Sequence, residues 1–372
     1  MTMKEYWHIF NPMSRRRKIT WIVLVVFAGF IKVFSFFPVA VEKYYSSGVY
    51  PFVSRAQRIA LGWIPFSVGD IFYLTVLIWG TVKLFGFTKR LFLGRLTGAY
   101  LLYMVQRIVF GCLWIYIVFN LAWGLNYNRT GIANQLQLQV RNYSTTDLQE
   151  VLQVIVSRLN DADSMAHVKR PWLAQHAYLF MEAVRSYKEL AIRYDFATYK
   201  SPSVKRSLFS YLGNYLGFTG YYNPFSGEAQ VNTTVPLSIQ PFTTCHEMGH
   251  QLGYAKENEA NFSGYLAAHA SNNVAFRYSV YFEMYIYAAR GLYVRDSNLV
   301  KQYTHQLDSS VKRDYRDLSA FFRRYKNPLD PIISRLYGKF LKVNQQPQGL
   351  MTYDEVIAWL IAYYKKFGKD AL

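Results

Sequence analysis

The chain has 372 residues, 52% apolar and 18% aromatic, with a formal net charge of +19 at neutral pH, a length that allows one sizeable globular domain beside a membrane region, or two modest domains. Residues 1–125 carry 14 Lys/Arg against 3 Asp/Glu and hold the long apolar runs, whereas residues 126–372 carry 28 against 20. No RNA-recognition, zinc-finger or helix-turn-helix pattern accompanies the positive charge, which excludes nucleic acid as its explanation and leaves membrane topology and anionic lipid headgroups.

In chain order, three stretches approach the roughly 20 apolar residues that cross a bilayer. They run from Ile19 to Val41, interrupted by Lys32, from Ile71 to Phe87, with Lys83 near its end, and from Ile108 to Leu125, preceded by Arg107. The first is too long for an ordinary signal peptide and lacks a small-residue cleavage site. Three such stretches within 125 residues predict a membrane anchor whose partner is the lipid bilayer. Lys/Arg bias sets the orientation. The tail holds Lys4, Arg15, Arg16, Arg17 and Lys18, and the loop after the second stretch holds Lys89, Arg90 and Arg95. Both are expected in the cytoplasm, and three crossings then put residues 126–372 on the outer or periplasmic face. Lys32 receives no function. Cys112 lies in an apolar stretch and Cys245 beside the motif described below, so no disulfide joins them.

From Thr145 the pattern is mostly helical. Thr145, Thr146 and Asp147 form a cap before Leu148, Val151, Leu152 and Ile155, and residues 173–194 repeat apolar positions every three or four residues. Segment 203–240 is rich in Gly, Tyr, Asn and Pro, and within it Glu228 to Val235 reads as a short polar strand. Helices resume to the C-terminus, with a break from Asn344 to Gly349. The fold class expected is mainly α: three N-terminal membrane helices followed by a helix-rich domain with a small β element.

Residues 241–261 read PFTTCHEMGHQLGYAKENEAN. On a helix, His246 and His250 project from one face a turn apart. Two imidazoles so spaced can bind one zinc ion (Zn2+), and Glu247 beside them can take a proton from water activated there. Pro241 suits the first turn of this helix and Gly253 its end. Such a helix is about three turns long, too short and too polar at its flanks to cross a bilayer. Catalytic zinc needs a third protein ligand, and Glu257 and Glu259 follow closely. The preceding polar strand is placed where metallopeptidases hold an extended substrate by backbone pairing. Of the other histidines, His8 is expected in the cytoplasm, and His167, His176, His269 and His305 read as structural. Tyr221, Tyr222 and His305 are alternative candidates for stabilising an oxyanion.

Three N-terminal spans, then YYNPFSGEAQVN, HEMGHQLGYAKENEANFSGYLA and LYGKFLKVNQQPQGLMTYDEVIAWLIAYY, resemble the bacterial membrane proteins grouped as domain-of-unknown-function family 3810. The likeness covers nearly the whole chain and implies a zincin-like protein of the bacterial cytoplasmic membrane. Glu257-Asn-Glu-Ala-Asn261 resembles the ExxA(D/N) element of glutamate-zincins, which is shared with the membrane-bound CaaX-prenyl endopeptidases. That resemblance implies Glu257 as third zinc ligand and Asn261 as a support for one histidine, with Glu259 the rival ligand. Two departures stand out: only six residues separate His250 from Glu257, and Asn261 replaces the usual Asp. The pattern HExxHxxGxxH is met at Gly253 but fails at Lys256, which cannot ligate.

These readings set the expected division at 1–125, a membrane anchor, and 126–372, an extracytoplasmic zinc metallopeptidase-like domain. The expected activity is hydrolysis of peptide bonds in a peptide or protein substrate, with His246, His250 and Glu257 on zinc and Glu247 as general base. The rival expectation is a non-catalytic zinc-binding sensor or assembly protein; a transporter is disfavoured because the spans hold few polar residues.

Overall fold

The computed structural model describes residues 14–349, 351 and 355–372. Lys4 and His8, and the Thr352-Tyr353-Asp354 part of the C-terminal run, lie outside the described residues. The chain is mainly helical with one small sheet. Helix α1 (Arg15–Phe34) is capped by Ser14, whose hydroxyl accepts from the Arg17 N–H. The apolar stretch from Ile19 to Val41 does not form one straight span. Proline at 38 removes a backbone donor and holds Phe37 out of the helical region (φ −114°, ψ 79°). The chain therefore turns by 100° into α2 (Pro38–Leu61), which widens to π-helical bonding over Val41–Val49.

Among the described residues two helices, not three, are by themselves long and apolar enough to cross a membrane: α3 (Val68–Phe92) and α4 (Gly98–Ala122). The bent pair α1–α2 qualifies only if taken as one broken span. Helix α3 extends beyond the expected 71–87 at both ends, and α4 begins ten residues before Ile108 because Tyr100, Gln106 and Arg107 continue the helix on a side that apolar counting discards.

After the short α5 (Gly131–Gln135), the rest of the chain packs around α6 (Thr145–Lys169) and α11 (Val274–Arg295), which lie against each other. The expected cap at α6 is a reciprocal box: Ser144 Oγ accepts from the Asp147 N–H at 3.0 Å, and Asp147 Oδ2 accepts from the Ser144 N–H at 2.9 Å. Around this pair stand α7 (His176–Arg193), α8 (Ser210–Leu216), α9 (Gln240–Gln251), α10 (Glu257–Ala270), α12 (Ser297–Gln306), α13 (Ser309–Tyr325), α14 (Asp330–Val343) and α15 (Val356–Phe367). One core joins α6, α7, α9, α10, α11 and α15. A second, smaller one joins Leu24, Tyr45, Tyr50, Ile117 and Trp123, tying the N-terminal apolar helices to the rest of the chain.

The sheet has the order β1–β3–β2, formed by Val204–Arg206, Glu228–Val231 and Gly220–Asn223. Strand β3 runs parallel to β1 (Val204 opposite Ala229) and antiparallel to β2 (Gly220 opposite Val231). The strand expected over Glu228 to Val235 stops at Val231, and it is the central strand, paired on both sides. It therefore has no free edge for a substrate; β1 and β2 are the edge strands. Buried Glu228 accepts from the Gly69 N–H at 2.6 Å and the Val68 N–H at 3.1 Å. Its carboxylate thus satisfies two orphan donors at the positive end of α3, fixing the sheet to the start of this apolar helix.

Candidate metal centre

Helix α9 carries Pro241 in its first turn and ends before Gly253, which adopts φ +87°. A side chain there would be strained by the backbone and would meet Tyr50 at 2.8 Å. The turn 252–256 reverses the chain so tightly that Glu257 is the first residue of α10. Six intervening residues suffice because the third carboxylate begins its helix instead of lying turns inside it. The two helices cross closely where Gly264 faces the backbone of His246, the site of an added Cβ being 3.0 Å from the His246 nitrogen.

This crossing gathers the motif. The imidazoles of His246 and His250 meet edge to face with centroids 4.8 Å apart, and donor atoms of His246, Glu247 and His250 lie within 4.8 Å of one another. Glu257 approaches the imidazoles as well: its Oε2 is 3.3 Å from His246 Nε2 and 3.7 Å from His250 Nε2. Ligands about 2.1 Å from a tetrahedral ion stand about 3.4 Å from one another, so these separations match shared ligation. Glu259, the rival ligand, is buried on another side, against Gly131 and 4.0 Å from Lys256 Nζ. Asn261 is buried one turn beyond Glu257 and lines one cavity together with it and the two histidines.

His250 Nδ1 lies 2.7 Å from the Tyr254 carbonyl. A carbonyl only accepts, so Nδ1 carries the proton and Nε2 presents a lone pair to Glu257. A lone pair facing a carboxylate requires a positive charge between them, either a second proton or a metal ion. Burial opposes ionisation of Glu257, but the two imidazoles beside it outweigh burial and hold its carboxyl below the usual range. Glu247 is shifted the other way: burial, opposed by the two histidines and reinforced by Glu257, pushes it up to about 7. Its Oε2 has no hydrogen-bond partner among the described residues. The added Cβ of an alanine at Gly220, on β2, would fall 2.6 Å from Glu247 Oε1, so only glycine admits this carboxylate.

The region expected to be an anchor contributes directly to the site. From α2, Tyr50, Ser54 and Arg58 each donate to the Gln251 carbonyl, and Trp123 Nε1 donates to that of His250 at 3.1 Å. These bonds satisfy carbonyls at the C-terminal end of α9.

The site opens into a cavity of about 710 Å³ that Glu257, Tyr221 and Tyr222 also line. Tyr221 is committed to Asp70 and Ser207, and the Tyr222 hydroxyl lies 3.5 Å from that of Tyr50. His167, His176, His269 and His305 do not line it. Two contributors escaped sequence reasoning. Tyr337 of α14 donates to Glu257 Oε1 at 2.9 Å, and Glu283 of α11 faces the cavity with its pKa raised by burial to about 7. Neither belongs to a local motif; for Tyr337 the available signal is an aromatic on the inner border of an otherwise amphipathic helix.

A family model described as "Protein of unknown function (DUF3810)" matches residues 45–361. The chain belongs to this family. The match begins within α2 and runs through both apolar helices, the sheet and all four motif side chains. No curated protein and no solved structure matches the chain.

Proposed function

We propose that the chain is a membrane-anchored, zinc-dependent peptidase of glutamate-zincin type. The observation that carries the reading is the convergence of His246 Nε2 and His250 Nε2 on one oxygen of Glu257, with the other nitrogen of His250 already spent on the Tyr254 carbonyl. A donor set of two neutral imidazoles and one carboxylate, buried and outside the apolar helices, fits zinc. Zinc there would supply a Lewis acid and bring the pKa of water at its open position towards about 7. Glu247, with one carboxylate oxygen uncommitted, takes that proton and returns it to the leaving amine. The edge strand β2, beside Glu247 at Gly220, suits backbone pairing with an extended chain.

Position relative to the membrane supports a site on the outer face. The site stands at the start of α3 and the end of α4, while Lys89, Arg90 and Arg95 mark the opposite end of both helices, the end that positive charge assigns to the cytoplasm.

The test uses the full-length protein in nanodiscs. Zinc content near one per chain is expected in the wild type and in Glu247→Gln, with hydrolysis of a mixed peptide library abolished only in the variant. His246→Ala is expected to lose the metal. Absence of stoichiometric zinc from the wild type overturns the reading; zinc retained with no cleavage by the wild type would favour a non-catalytic sensor or assembly protein.

A further inference from the structure

The cavity beside the candidate centre is walled partly by membrane helices. Tyr73 of α3 and Phe119 of α4 line it together with Ile333, Tyr337 and Phe340 of α14. The depth of this wall follows from hydrogen bonds. Asp70, in the first turn of α3, accepts from the Leu208 N–H at 2.6 Å, two residues before α8 begins. Tyr73 stands one turn further along α3, a helix of 25 residues. At 1.5 Å per residue α3 spans about 37 Å against about 30 Å of hydrocarbon, so this level is the headgroup boundary. Helix α8 and the loop before α14 are joined there: the Tyr215 carbonyl accepts from Asn327 Nδ2 at 2.7 Å, and the Tyr215 and Tyr325 rings meet edge to face.

At that level both helices expose apolar side chains. On α8 these are Tyr211, Leu212 and Tyr215, of which Leu212 also lines the cavity. Leu329, Ile332, Leu336, Phe340 and Val343 form one stripe along α14 by helical spacing, Leu336 being 62% and Val343 81% exposed. Arg335, Lys339 and Lys342 border the stripe on one side, and Ile333, Tyr337 and buried Leu341 border it on the other. From Arg323 to Val343 there are six basic residues and one acidic residue, Asp330. An exposed apolar stripe flanked by snorkelling cations is the pattern of a helix lying in an anionic interface.

We propose that α8 and α14 rest in the headgroup region of the bilayer that α3 and α4 cross, and that the cavity is entered sideways from that membrane between them. Since Tyr337 reaches Glu257 from the inner border of α14, the docked helix also forms the wall of the candidate centre. On the peptidase reading, which this inference deepens, the substrate is a membrane-anchored polypeptide presenting its juxtamembrane segment, not a free soluble peptide.

The experiment measures depth. In a Cys112→Ser background, full-length Leu336→Cys, Phe340→Cys and Glu150→Cys are labelled with an environment-sensitive fluorophore in phosphatidylcholine/phosphatidylglycerol nanodiscs. The variants report the outer stripe, the cavity mouth and exposed α6, respectively. Lipid-borne spin labels are expected to quench the probes at 336 and 340 several-fold more than the probe at 150. Quenching at 336 only by aqueous iodide overturns the docking face, and lipid quenching at 336 with purely aqueous quenching at 340 overturns entry from the membrane. Should Leu336→Cys fail to assemble, Val343→Cys reads the same stripe. No metal is involved in this readout. Zinc-free protein with lipid-quenched probes would defeat the peptidase reading alone, and zinc-loaded protein with aqueous probes would defeat this inference alone.

Discussion

At the scale of single residues, the candidate site depends on one glycine and one distant tyrosine as much as on the motif. A Cβ at position 220 would fall 2.6 Å from Glu247 Oε1 and 3.0 Å from the Gln230 carbonyl. The carboxylate is the movable partner, so it gives way. Gly220→Ala is therefore expected to lower hydrolysis by about 10²-fold, the scale of a misplacement of about 1 Å, with zinc content unchanged. Parallel metal analysis and peptide-library cleavage check this; an unimpaired variant would mean that Glu247 does not act from its present position. Tyr337 makes the complementary case, since its hydroxyl donates to Glu257 Oε1 at 2.9 Å. Tyr337→Phe is expected to weaken zinc binding by about 10- to 100-fold, the range for partners that orient a metal ligand. A chelator competition titration measures it, and equal affinities would remove Tyr337 from the centre.

At the scale of elements, what was legible in the sequence was local. His246 and His250 announce themselves because helical spacing alone puts them on one face with Glu247 beside them, and Pro241 and Gly253 delimit their helix. Spacing could not show how Glu257 reaches the pair across only six residues. The answer lies in two helices crossing at Gly264, a contact between residues eighteen apart in sequence. The strand carrying Glu228 was legible as a strand, but its central place in the sheet was not, because β1 and β2 are too short and irregular to announce themselves. The crossing gives a prediction of its own. Gly264→Val inserts a branched side chain 3.0 to 3.1 Å from the backbone of His246, which cannot yield as a side chain tip does. Overpacking of this kind costs about 1–3 kcal/mol. Thermal melts should show that loss, and zinc content should fall with it because α10 carries Glu257 outward. A variant of full stability and full metal content would show the crossing to be looser than described.

At the scale of the whole molecule, apolar runs foretold the two long apolar helices α3 and α4, and amphipathic spacing the helices that follow, yet their union was hidden. Proline at 38 turns the first apolar stretch aside, and α2 becomes part of the site. Its strongest tie is Glu42, which accepts from Arg129 Nε at 2.9 Å and Nη2 at 2.6 Å, and from Gln135 and the Gly131 N–H. Arg129 in turn donates to the Gly253 carbonyl at the end of α9. Burial alone would raise the pKa of Glu42, but the hydrogen bonds and charge of Arg129 prevail and bring it to about 2, against an ordinary 4.5. A carboxylate with a depressed folded-state pKa contributes its full stabilisation above the unfolded value. Between about 4.5 and about 2 the unfolded chain takes up the proton first, so the contribution shrinks, and below about 2 it is gone. Glu42→Gln is isosteric and cannot ionise. It is expected to cost about 1–3 kcal/mol at neutral pH, less than a fully buried pair because Glu42 keeps some solvent contact. The difference in melting temperature from the wild type should be largest above pH 5 and close as the pH falls towards 2. Tryptophan-fluorescence melts in nanodiscs across that range provide the measurement. A difference independent of pH would mean that shape and not charge joins α2 to the site, and the coupling of α2 to α9 would then rest on Tyr50, Ser54 and Arg58 instead.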